Sequence, residues 1–438
     1  MTDQRALLVL VHGTLVHGTL VHGTSTQYDA CMTTTDLSPE EAADFRNKCR
    51  EFLTANATGI KVTGPDPRSD QSLAGGRAFQ AKLVAAGLAG LMYPREYGGA
   101  GLTREHDKIY REEYGNFPEM TSQLTISHGM CLPMLSEYGT DEQKAQFLAK
   151  NISGEHLWCQ MFSEPGAGSD VASLQTRAVR DGDEWIVNGQ KVWTTLAHQC
   201  EYGILIARTD PEQPKHRGIS MFIVDMRAPG VEIRPIVQID GGRHFNEIFF
   251  TDLRIPANWQ VGDLNDGWRL ATAMLMYERV AIGTGSSSGV SHPNSDRLID
   301  EAKRRGIIDD AVLRDDLMKI YSEETAKSLV SLRTRAELKA GKTPGPGGSL
   351  GKLHGAKISR MVRAIAGRVA GQTSLAWEGD NHTETWNRML LTSFSSHIAG
   401  GTDEIQKNII GDRVLGLPRE PSVDKDTAFR DLKVGTQK

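Results

Sequence analysis

Between Trp158 and Pro256 the apolar residues of this 438-residue chain recur with a period of two, and on either side they recur with a helical period. That change constrains the fold more than any other feature. Side chains alternate across a strand, whereas three or four residues separate neighbours on one helix face. Residues 184–187, 202–208, 219–225, 231–236 and 247–255 are short β-branched or aromatic runs separated by turn residues, and read as strands of a small antiparallel barrel or sandwich. Upstream, Ser38-Pro39-Glu40-Glu41 predicts a helix start. Ser38 is the N-cap, Pro39 suits the first helical position and Glu41 completes a capping box. Phe45, Cys49, Phe52 and Leu53 follow at helical spacing. A second helix is predicted over 76–86 with Gly87 as its stop, then a Pro/Gly turn over 93–99, then a capping box at Thr140 and Gln143. Helical spacing returns at Gly267, where Leu270, Ala273, Met274, Met276 and Tyr277 form a broad apolar face. Further helices are predicted over 293–305, 309–341 and 350–371, with a Pro/Gly loop over 342–348. A last segment, 398–416, closes the packed region, and the tail from Pro418 reads as loose. The order is α+β: a helical domain over 32–155, a β domain over 156–265, a helical domain over 266–420 and a tail over 421–438.

Composition excludes several alternatives. With 39% apolar and 24% charged residues the mixture is ordinary for a globular protein of two or three packed units. A net charge of −5 gives no electrostatic case for nucleic acid. The five cysteines show no CxxC pair and no metal-ligand spacing, which reads as reduced thiols in a cytoplasmic protein with no bound metal. No run approaches the ~18 apolar residues of a membrane span. From Leu10 to Thr24 the pentapeptide LVHGT occurs three times in succession. Its His12, His17 and His22 share neither a helix face nor a strand face, and the apolar run before it is too short for a signal peptide. Residues 1–31 therefore read as a low-complexity, disordered extension, with Met32 a candidate natural start.

The chemistry concentrates in residues 159–195, CQMFSEPGAGSDVASLQTRAVRDGDEWIVNGQKVWTT. The stretch turns sharply through Pro165-Gly166-Ala167-Gly168, presents Ser169 and Asp170, and carries a hairpin-like turn signal at Asn188-Gly189. Glycines let a flat ligand approach the main chain. Ser163, Ser169, Thr194 and Thr195 supply hydroxyls, and Trp193 supplies a flat face. Its two blocks, S-E-P-G-A-G-S-D and N-G-Q-K-x-W-T-T, resemble the middle domain of the acyl-CoA dehydrogenase family. The helix–β–helix order is similar too, so the resemblance spans about 35–418 and implies a C-terminal four-helix bundle.

The resemblance implies an FAD-dependent oxidation of an acyl-CoA to a trans-2-enoyl-CoA. A carboxylate takes the pro-R α-proton while the β-hydrogen leaves as hydride to flavin N5. Such a base needs a water-poor site, and the thioester carbonyl needs hydrogen-bond donors. Met161, Ser163, Gly168, Ser169, Trp193 and Thr195 match positions that line the flavin, with Ser163 on its pyrimidine side, Thr195 at N5 and Ser169 also near the CoA entrance. Gly401, Thr402 and Glu404 match positions near the FAD phosphates and ribose. Many members carry the base in a Tyr-Glu-Gly-Thr motif, but here Gly400 stands where that Glu would be, and glycine cannot move a proton. Gly400 is left as a substrate-side position. Isovaleryl-type and long-chain members place the base in a Leu-x-x-Glu-Arg pattern on the first long C-terminal helix. Leu275-Met276-Tyr277-Glu278-Arg279 matches it, which implies Glu278 as the base and Arg279 as a substrate-binding residue. A pair of solvated helix-surface charges is the other reading of Glu278 and Arg279.

Two family segments that reach a neighbouring subunit's FAD, Arg-x-x-Phe-Gly and Gln-x-x-Gly-Gly, are missing. Residues 287–298 (SSGVSHPNSDRL) and 371–379 stand in their places. These losses resemble bacterial, notably actinobacterial steroid side-chain, members that form α2β2 heterotetramers. The expected partners are an acyl-CoA that is branched, bulky or steroid-derived, an electron-transfer flavoprotein, and either further copies of the chain or a paralogous subunit. The competing readings are a non-catalytic subunit and a flavin monooxygenase on the same fold.

Overall fold

The computed structural model describes residues 37–59, 68–283, 294–339, 347–375, 381–422 and 425–432. The LVHGT repeats and Pro293 lie outside the described residues.

Five helices build the N-terminal unit: α1 (Pro39–Asn56), α2 (Asp70–Ala85), α3 (Arg104–Tyr114), α4 (Leu132–Tyr138) and α5 (Asp141–Ile152). Both capping boxes form. Glu41 N donates to Ser38 Oγ at 3.2 Å while Ser38 N donates to Glu41 Oε2 at 2.9 Å, and Thr140 and Gln143 repeat the exchange at the start of α5. Helix α2 starts at Asp70, well before Gly76, because the polar Asp70 and Gln71 of its first turn hide the period.

Eight strands follow: β1 (Trp158–Met161), β2 (Arg177–Asp181), β3 (Glu184–Thr195), β4 (Tyr202–Arg208), β5 (Ile219–Asp225), β6 (Val231–Ile236), β7 (Phe245–Pro256) and β8 (Gln260–Val261). They form one sheet in the order β6-β7-β3-β2-β4-β5-β8, with β1 beside β4. Pairing is antiparallel except that β4 runs parallel to both β1 and β2, so the sheet is mixed. Strands β4 and β5 are buried on both faces. Ile204, Ile206 and Ile223 join the helical core, and Leu205, Ala207, Phe222 and Val224 join a second core with Trp185, Val187, Ile248 and Phe250.

Asn188-Gly189 makes no hairpin: both residues lie inside β3, where the register against β7 shifts. The turn is at Gly182, φ +58°, between β2 and β3. Gly189 is needed for another reason, because a Cβ there would come within 2.6 Å of the Thr176 Cα.

The C-terminal unit comprises α6 (Gly267–Gly283), α7 (Asn294–Arg304), α8 (Ala311–Lys339), α9 (Gly347–Ala370), α10 (Asn381–Thr392) and α11 (Asp403–Arg413). Leu298, Leu317, Ile320, Val362 and Ala366 form its core. Helix α10 escaped the sequence reading. The tail is not loose throughout either: Phe429 is 5% exposed and packs on the middle domain. No described helix is long and apolar enough to cross a membrane.

Candidate active site

The two sequence blocks come together where the turn after β1 meets the end of β3. Val192 N donates to Ser163 O at 2.9 Å. Below that bond, Lys191 Nζ donates to Phe162 O at 3.0 Å and to Glu164 Oε1 at 2.8 Å, with the Lys191 side chain fully buried. Glu164 also accepts from Gln175 N at 2.7 Å and Thr176 N at 3.0 Å, which pins the far end of the Gly-rich turn. Burial pushes the Glu164 carboxyl upward, but the Lys191 ammonium and these hydrogen bonds outweigh it and hold the group below its ordinary value. Sequence reasoning missed this pair. Its only trace was a lysine in an otherwise apolar strand segment and a glutamate before Pro-Gly.

The pair supports a ledge. A bulge between Lys191 and Thr194 puts Trp193 at φ +61° and turns its indole outward, 58% exposed, with an edge contact to Phe245 at 5.9 Å. Thr195 and Ser163 are half-buried beside it, and Gly168 and Ser169 are exposed on the turn. A Cβ at Gly168 would meet nothing within 4 Å. Thr194 is buried and its Oγ1 has no partner among the described residues, and the Nε2 of Gln160 is likewise buried without a partner among them.

Met161 is a correction. It is fully buried in the sheet core, its Cε packed where a Cβ on Gly203 would sit, so it lines no ligand surface. Strand parity explains the error: Gln160 and Phe162 lie on one side of β1 and Cys159 and Met161 on the other. Gln160 is the residue that sequence reading passed over.

The second cluster lies at the start of α11. Gly400 and Gly401 take φ +66° and +87°, values that glycine adopts without strain. Gln406 Nε2 donates to Gly400 O at 2.7 Å. Thr402 caps the helix, accepting from Ile405 N at 3.3 Å, and Glu404 is exposed. Asp403 is buried and accepts from His397 at 2.7 Å. Arg388 on α10 reaches Asp240 at 3.0 Å, and Leu196 N donates to His244 O at 2.7 Å. These contacts bring the C-terminal helices to the loop that flanks the ledge.

Glu278 and Arg279 stand in α6, and their side chains lie outside the described residues. Helix register puts position 278 on the face of Ala271 and Met274, both 0% exposed, and opposite Met276, 41% exposed. Beside them, Tyr277 donates to Glu137 on α4, tying α6 to the N-terminal unit.

Comparison with known proteins follows the same division. Profiles of the acyl-CoA dehydrogenase N-terminal, middle and C-terminal domains match residues 39–155, 159–253 and 265–415. The acyl-CoA dehydrogenase IpdE1 of Mycobacterium tuberculosis is 38% identical over 385 residues, 87% of this chain and 99% of its own length. The acyl-CoA dehydrogenase FadE34 of the same organism is 38% identical over 341 residues, 78% of this chain and 46% of its own. Among solved structures, the Tcur3481-Tcur3483 steroid ACAD is 27% identical with a TM-score of 0.70, covering 88% of this chain and 99% of that one. The ChsE4-ChsE5 complex from Mycobacterium tuberculosis is 28% identical with a TM-score of 0.67, covering 88% and 100%.

Proposed function

The chain belongs to the acyl-CoA dehydrogenase family, oxidoreductases acting on CH–CH groups, and on that premise we propose how its residues divide the work. FAD is the cofactor of the family, and the ledge suits a flavin. An exposed indole, two half-buried hydroxyls, a turn with no side chain at Gly168, and two buried polar atoms without partners match a flat ring with a polar edge. We assign Ser163, Gly168, Ser169, Trp193 and Thr195 to the ring, with Gln160 beside them, and Gly401, Thr402 and Glu404 to the phosphates and ribose. When bound, the flavin supplies the hydride acceptor.

The residues of the chain do the rest. Glu278 takes the α-proton of the thioester, from a helix face it shares with the buried Ala271 and Met274. Arg279 and Ser169 bind the acyl-CoA, and Gly400 leaves space at the acyl end. The relatives named for steroid substrates support a bulky or steroid-derived acyl group. The three helical and β units act as the domains 32–155, 156–265 and 266–420. The four described thiols are free and buried, which fits a reducing compartment, and we infer the cytoplasm. Electrons pass to an electron-transfer flavoprotein.

A paralogous partner completes the assembly in this reading. Met318, Tyr321, Leu329 and Leu332 fall in one stripe of α8 and are 47–60% exposed. The observation that carries the whole proposal is the ledge, cross-linked from beneath by Lys191 and Glu164 with Trp193 left open above. The visible spectrum of the purified protein under anaerobic conditions tests it. A yellow protein that bleaches with a steroid-derived or branched acyl-CoA is expected; a yellow protein indifferent to every thioester refutes the activity. A colourless protein that turns yellow only on co-expression with a paralogue identifies the heteromer.

A further inference from the structure

The segment 426–432 lies beyond the 265–415 match to the family's C-terminal domain, yet it returns to the middle domain and packs there. Phe429 N donates to Gln213 O at 2.9 Å, Arg430 N donates to Pro211 O at 3.1 Å, and Ala428 bridges to Pro214 in antiparallel fashion. A single antiparallel bridge at Ala428 and two backbone hydrogen bonds from the 3-10 turn Phe429–Asp431 thus fasten the segment to the 209–218 hairpin. Arg430 Nη1 also reaches Glu212 at 2.6 Å.

From this contact two routes lead to the Gly-rich turn. The first runs through Arg208. Its guanidinium is buried, has no carboxylate partner among the described residues, and lies 3.7 Å over the Phe429 ring. It donates through Nη2 to Ala172 O at 2.6 Å and through Nη1 to Lys215 O at 2.7 Å. The second runs through the hairpin. Lys215 Nζ donates to Asp170 at 3.0 Å, and Asp170 accepts from Ser173. Asp170 directly follows Ser169, and Ala172 lies three positions after it. The other end of the turn is held by the side chain of Glu164, which accepts from Gln175 N and Thr176 N, and by the backbone of Arg208, whose N donates to Thr176 O.

We infer that residues 426–432 are a strap that positions the Ser169–Ser173 half of the turn, with Phe429 and Arg208 as positioning residues for acyl-CoA binding. Its effect on the substrate rests on the assignment of Ser169 made above. Without the strap, the face of Arg208 opens to water and the hairpin loses its backbone contacts with Ala428, Phe429 and Arg430. The segment that presents Ser169 then loosens, while the Glu164 end stays fixed.

Residue-resolved amide hydrogen exchange on the ligand-free protein, paired with steady-state kinetics, tests this. In Phe429→Ala, and in a chain ending at Ser422, exchange at Ser173 N and Leu174 N should accelerate about tenfold, with Gln175, Thr176 and the β4 amides unchanged. KM for the acyl-CoA should rise several-fold with kcat nearly constant, and Phe429→Leu should restore part of the loss. Unchanged exchange at Ser173 and Leu174 overturns the strap. Accelerated exchange with an unaltered KM overturns the assignment of Ser169 to acyl-CoA and leaves the strap standing. Acceleration throughout β4 as well shows that the segment merely stabilises the domain, and overturns the positioning role.

Discussion

The ledge and the C-terminal helices hold their site residues by opposite means. The ledge rests on a buried ion pair, a bulge, two further hydrogen bonds that Lys191 and Val192 give to Phe162 O and Ser163 O, and two that Glu164 accepts from Gln175 N and Thr176 N. The turn at the start of α11 rests on the Gln406 amide, the Thr402 cap and the Asp403–His397 contact, and the neighbouring α8 leaves a stripe of four large apolar side chains exposed, Met318, Tyr321, Leu329 and Leu332, with Val312 exposed elsewhere on it. Elements that need a neighbour expose apolar surface; elements that must be ready before the neighbour arrives bury their polar contacts. The proposed flavin seat, prebuilt by one chain, and the proposed adenosine end, left for assembly, rest on that contrast and on the missing Arg-x-x-Phe-Gly and Gln-x-x-Gly-Gly segments.

Breaking the ledge should have the largest effect. Lys191→Met strands the Glu164 carboxylate in the interior and should cost about 3–5 kcal/mol, read by denaturant unfolding together with loss of bound flavin. The double variant Lys191→Met/Glu164→Gln should recover much of that, and a double variant as unstable as the single one breaks the argument. The same pair sets an acid limit. Glu164 is held below its ordinary value, so its contribution is full above the unfolded-state pKa of about 4.3 and is lost as pH falls through the lower, folded value. Equilibrium unfolding between pH 6 and about 3 should show that loss in the native protein and much less of it in the double variant. In the C-terminal region Gln406→Leu removes the part-buried hydrogen bonds to Gly400 O and Gly401 O and should cost only about 1–2 kcal/mol, with flavin affinity falling more than thermal stability. The smallest stability change is expected for Leu332→Glu on the exposed stripe, within about 0.5 kcal/mol, although sedimentation should show the assembly weakened. An oligomer of unchanged size would remove α8 from the interface.

Much of the frame was legible in the sequence because it is local. The period change at Trp158 and Gly267, and the capping boxes at Ser38 and Thr140, involve residues within a few positions of one another. What escaped depends on contacts far along the chain. Asn188-Gly189 carries a hairpin signature, yet its glycine is fixed by the approach of Thr176. Met161 entered the site as a match to a flavin-lining position of the family, although strand parity sends it to the core and leaves Gln160 on the other side. The Glu164–Lys191 pair joins residues 27 positions apart, and Phe429 finds Arg208 only after the whole C-terminal unit has been built. Polar composition made the tail read as loose, and two apolar residues, Phe429 and Leu432, were enough to dock it.

We assign proton abstraction to Glu278 on α6, since Gly400 has no side chain to serve. Anaerobic mixing of acyl-CoA with flavin-loaded wild type and Glu278→Gln, followed by the decay of flavin absorbance, tests it most directly. The variant should keep its colour and bind the thioester while bleaching at least ~100-fold more slowly. Bleaching at the wild-type rate would contradict the assignment and place the base elsewhere.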